Sequence, residues 1–116
     1  MESILERKYG PALNWTITED NEPRPLALHV IQHKREYVFP WARYIYANGA
    51  NDHVLIAFPT HEVVITGYGL DHLLADLAAH RVKCLREPRQ ADKFHATNEP
   101  EPKGAIIELT VREIEE

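Results

Sequence analysis

His72, Asp76 and His80 stand at i, i+4 and i+8, so a helix would set them in one stripe. Imidazole and carboxylate groups are ligands for zinc and other transition metals. Two residues four apart can share an ion. The outer two are separated by about 12 Å of helix rise, so the full set needs a ligand from elsewhere. The same row also serves as a solvated helix face carrying i, i+4 pairs. A charged His80 suits the negative end of a helix dipole. The stripe is the candidate metal site of this chain, and a small metal-dependent enzyme built on it is one alternative function.

His29, His33, His53 and His61 fall in or beside segments of strand pattern. They make a site only where a sheet brings them together. Cys84 is the only cysteine. Lys83 beside it would favour a thiolate, but alternation with Val82 predicts an inward, inert thiol. One cysteine excludes an intrachain disulfide and a cysteine-based zinc site, and fits a reducing compartment.

Cations gather after the histidine stripe: Arg81, Lys83, Arg86, Arg89 and Lys93. Arg86, Arg89 and Lys93 are the candidate phosphate contacts. With Trp41 or Tyr44 as a stacking platform, segment 81–93 would make a nucleic-acid module, the second alternative. Cations that follow a helix are also ordinary dipole partners. The formal charge is −5, from 13 Lys and Arg against 18 Asp and Glu, which opposes general affinity for polyanions. Trp41, Tyr44 and Tyr46, next to Pro40, put large aromatics on both parities of one segment. That surplus predicts a protein interface.

Several chemistries lack their residues. Ser3 is the only serine, and with Glu6 it forms a helix capping box, which leaves no serine nucleophile. There is no phosphate-binding G-x-x-x-x-G-K-[ST] loop and no H-E-x-x-H. Gly67-Tyr68-Gly69 starts like a dinucleotide fingerprint, but His72 stands where the third glycine belongs, so these glycines read as turn residues.

The elements that must position these groups follow from periodicity. Ser3 and Glu6 open, and Gly10-Pro11 closes, a short helix over residues 3–9. Strand patterns follow at 15–18, 26–32, 37–47, 53–58 and 63–66. Pro40 requires a bulge or an edge in the third of these. Asn48-Gly49 marks a turn. The clearest helix spans 70–80, then a strand at 82–85, a long loop at 87–104 and a last strand at 105–111. That strand, at the chain end behind a long loop, is expected to be an edge able to accept another strand, with Glu108 and Arg112 on its wet face.

Short links among residues 26–66 imply antiparallel pairing. The expected fold is α+β: an antiparallel meander, curved or partly closed, with the short N-terminal helix and the 70–80 helix packed on it. The expected core is Leu28, Val30, Phe39, Val54, Ile56, Val63, Ile65, Leu73, Leu74, Leu77, Leu109 and Val111. A chain of 116 residues reads as a single domain, 1–116. No signal-peptide or membrane-length apolar run occurs, so a cytoplasmic protein is expected. The expected function is a non-catalytic binding or assembly module without cofactor, self-associating as a homodimer or docking a protein partner through sheet surface.

Overall fold

A computed structural model describes residues 14–88 and 103–114. The short helix expected at 3–9 and most of the 87–104 loop lie outside them. The described elements run β1 (Trp15–Ile17), β2 (Ala27–Ile31), β3 (Glu36–Pro40), a 3₁₀ turn (Trp41–Arg43), β4 (Tyr46–Gly49), β5 (His53–Ala57), β6 (His61–Tyr68), α1 (Leu70–Ala78), β7 (Val82–Arg86) and β8 (Ala105–Glu113). The α+β class with mostly antiparallel sheets holds. One meander does not: the described strands form two four-stranded sheets, ordered β1-β7-β2-β3 and β4-β5-β6-β8. Among the described strands only β2 and β7 pair in parallel.

The division occurs inside the segment expected as one strand over 37–47. Pro40 ends β3, which lies at the edge of its sheet, where its missing N–H costs no ladder bond. Trp41–Arg43 then turn the corner. The Trp41 N–H bonds the Leu26 carbonyl at 3.0 Å, and the Ile45 N–H opens pairing with the other sheet at the Ala57 carbonyl, at 2.9 Å. The aromatics on two parities thus belong to two strands and a corner.

Both sheets turn one face to a shared core. Period-two residues of β2, β5 and β6 fill it, with Leu28, Val30, Val54, Ile56, Val63 and Ile65 at most 1% exposed. Phe39 and Leu109 join them. From α1, the stripe Leu70, Leu73 and Leu77 is buried. Leu74, expected in the core, is only partly buried beside that stripe, as is Val111. Trp15, Phe58, Val82, Leu85 and Ile106 are core residues beyond those expected.

The helix is two residues shorter than the 70–80 expectation. The His80 N–H bonds the Leu77 carbonyl and the Arg81 N–H reaches back to the Asp76 carbonyl, with His80 left-handed at φ 57°. That is a Schellman closure, usually given to glycine. At the other end Gly69 has φ 63°, and a Cβ there would meet the Lys103 carbonyl oxygen at 2.3 Å. Gly67 was expected in a turn but lies within β6, opposite Ile106, at a register break in the β6–β8 ladder. No described helix is long and apolar enough to cross a membrane.

Candidate functional site

The histidine stripe does not assemble. His72 is exposed on α1. Asp76 accepts the indole N–H of Trp15 at 3.1 Å, which ties the carboxylate to β1. His80 has left the helix. Among the described residues, no three His, Cys, Asp or Glu side chains lie close enough to hold a metal ion. The i+8 spacing assumed a helix that continues past residue 78.

The strand histidines find local partners instead of one another. His33 Nε2 meets the Pro88 carbonyl at 3.1 Å, and its backbone N–H donates to Glu87, clamping the β2–β3 turn to the end of β7. His53 Nδ1 lies 2.7 Å from Asp52 Oδ1, a bond that holds the Asp52 carboxyl below the usual range. His61 tilts against the Tyr37 and Phe39 rings with Thr60 at Nδ1.

One chemical row forms that the sequence did not announce. Cys84 was expected to point inward. Ile17 pairs with Val82 and Thr16 with Cys84, so Lys83 is the extra residue of a bulge. Val82 and Leu85 are therefore both buried, and Cys84 turns to the outer face, half-buried. There it lies opposite His29, whose Nδ1 is 2.9 Å from Glu36 Oε2. Burial pushes the thiol up, with Arg86 opposing the shift and Glu36 adding to it. A raised thiol is a poor nucleophile at neutral pH.

The proposed interface aromatics divide. Trp41 packs edge-on against Tyr44, with ring centroids 5.2 Å apart, and both reach Phe58. The Trp41 Nε1–H donates to the Val82 carbonyl. These two rings close one end of the core, and burial raises the Tyr44 phenol above its ordinary range. Tyr46 alone stands out, 49% exposed. Of the phosphate candidates, Arg86 ends β7 beside Cys84, while Arg89 and Lys93 lie outside the described residues. Arg81 donates to the Thr18 carbonyl and Lys83 pairs with Glu22. Arg81 also lines a polar cleft of about 330 Å³ with Thr18, Asp20 and Arg24. Arg24 caps the Ala79 carbonyl, so the cleft fastens the β1–β2 loop to the end of α1.

The strongest candidate is the outer side of β8. This nine-residue strand pairs with β6 and ends its sheet's order. The Ile114 N–H is spent on the Thr60 carbonyl at 2.8 Å. By strand periodicity, the even-numbered backbone groups from Glu108 onward face β6, and those of Leu109, Val111 and Glu113 face away. No described strand pairs with that side. The Leu109 carbonyl accepts the Gln32 side-chain amide at 3.0 Å, as an outward carbonyl can. Arg112 approaches Glu62 of β6 at 3.5 Å on the outer sheet face. Ile107 and Ile114 are exposed on the same strand and just past its end. The edge was expected from the place of 105–111 at the chain end behind a long loop, whereas Gln32 and Ile114 were given no role from the sequence, and Ile107 was expected in the apolar row of the strand. No protein-family model, curated protein or solved structure matches the chain, so function is read from this geometry alone.

Proposed function

We propose that this chain is a non-catalytic assembly module that accepts a strand of another polypeptide along the outer side of β8. The observation that carries the reading is the row of backbone groups at Leu109, Val111 and Glu113 directed away from β6 on the last strand of a sheet. Such a row supplies affinity through main-chain hydrogen bonds, while alternate side chains supply specificity. Exposed Ile107 and Ile114 offer apolar contact at the two ends. The raised Cys84 thiol and the locally partnered histidines support binding rather than catalysis.

Amide hydrogen exchange tests the reading. In dilute protein, Val111 and Glu113 should exchange fast while Thr110 and Arg112 are protected by β6. A synthetic peptide of residues 105–114 should slow the outward amides. Val111→Pro should abolish that effect with the fold intact, because it removes an N–H that β6 does not use. Protection of Val111 and Glu113 in the monomer without any peptide would overturn the proposal.

A further inference from the structure

Resting on that reading, we infer that the strand taken up is β8 of a second copy, paired antiparallel about a two-fold axis at Thr110. A closed dimer needs a self-complementary strand. Leu109, Thr110 and Val111 are the central residues of the regular half of β8 and its candidate centres. About Leu109, Ile106 would oppose Arg112 of the other copy. About Val111, Leu109 would oppose Glu113. About Thr110 the pairs match: Glu108 meets Arg112 twice, Leu109 meets Val111 twice, and Thr110 meets itself. Opposite charges across adjacent strands stabilise a pair, and like charges oppose it.

The backbone agrees with this register. Leu109 and Val111 both direct their N–H and C=O groups outward, so Leu109 opposite Val111 is a hydrogen-bonded pair. Thr110 opposite Thr110 is then a non-hydrogen-bonded pair, the closer kind. The Leu109 carbonyl has a second lone pair beside the one that meets Gln32 Nε2. The faces agree as well. Glu108, Thr110 and Arg112 are exposed while Leu109 is buried and Val111 partly so, so like faces meet like. Arg112, already 3.5 Å from Glu62, would lie between that carboxylate and Glu108 of the other copy. The product is one continuous eight-stranded sheet made from two copies of β4-β5-β6-β8.

Single cysteines read the register in a Cys84→Ser background. The non-hydrogen-bonded pair brings Cα atoms to about 4.5 Å, within the span of a disulfide. Thr110→Cys should therefore cross-link with itself under mild oxidation. Glu108→Cys and Arg112→Cys should each fail alone and cross-link when mixed. Light scattering of the unmodified chain should show the dimer forming as concentration rises. Cross-linking of Glu108→Cys with itself, or a chain that stays monomeric while Thr110→Cys fails to link, would overturn the inference. In the latter case the 105–114 peptide separates the two ideas. Slowed exchange at Val111 leaves strand uptake standing without self-pairing, and unchanged exchange removes both.

Discussion

Trp15 and Asp76 are joined by a hydrogen bond from indole Nε1 to carboxylate Oδ2, 3.1 Å long and partly buried. It fastens the first strand to the helix and occupies one oxygen of the central member of the histidine stripe. Asp76→Ala leaves the indole N–H without its acceptor and should cost about 1–3 kcal/mol. Asp76→Asn keeps an acceptor oxygen and should cost less. Zinc titrated into the unmodified chain should leave the unfolding midpoint unchanged. A His72→Ala, His80→Ala pair should respond in the same way as the parent. A zinc-dependent rise in midpoint that the double variant loses would restore the stripe as a metal site.

His80 holds the left-handed position that ends α1, at φ 57°. A residue with a Cβ is strained there and glycine is not. His80→Gly should stabilise the chain by about 0.5–1 kcal/mol, after the greater unfolded-state entropy of glycine offsets part of the gain. Chemical denaturation measures it. A loss of stability would mean that the imidazole makes a contact worth more than the strain it carries.

These two residues also show where sequence reading ends. The stripe depended on a regular helix through residue 80, and no glycine marked the stop at 78. Local alternation found β2, β5, β6 and β8, because period two is written in consecutive residues, while the edge character of β8 was expected from its place at the chain end behind a long loop. It located β7 but misjudged the facing of Cys84, which the bulge at Lys83 reversed, and it failed over 37–47, where a corner after Pro40 imitates continuous alternation. The row of Cys84, His29 and Glu36 was invisible for a different reason. It is assembled from three strands whose pairing is decided by tertiary packing. The outward side of β8 needed the same nonlocal knowledge. Only the ladder with β6 tells which of its amides are used.

Tyr44 is partly buried against Trp41 and Phe58, and burial raises its phenol above the ordinary 10.0 despite an opposing backbone hydrogen bond at Ala47. The folded chain therefore holds this proton to higher pH than the unfolded chain. The stability linked to it is fully present below the ordinary tyrosine range and is lost as pH rises through the folded value. Spectrophotometric titration should show a late-ionising component from Tyr44. Tyr44→Phe should remove that late component and flatten the alkaline fall in unfolding midpoint. An unchanged titration curve in the variant would assign the late tyrosine elsewhere.

Cys84 offers the sharpest test of the non-catalytic reading. On the outer sheet face it lies opposite His29, which is bonded to Glu36, an order of residues that invites comparison with an activated nucleophile. The electrostatics run the other way. Burial holds the proton on sulfur, Glu36 reinforces it, and only Arg86 opposes it. Because the thiolate is the reactive form, the pH profile of alkylation by iodoacetamide should have its midpoint above that of a free thiol. Arg86→Ala should move the midpoint further up by removing the cation, and Glu36→Gln should move it down by removing the carboxylate charge. The two shifts have opposite signs, so general loosening of the fold cannot produce both. A midpoint below that of a free thiol, raised by His29→Ala, would instead identify a Cys84–His29 ion pair and return catalysis to consideration.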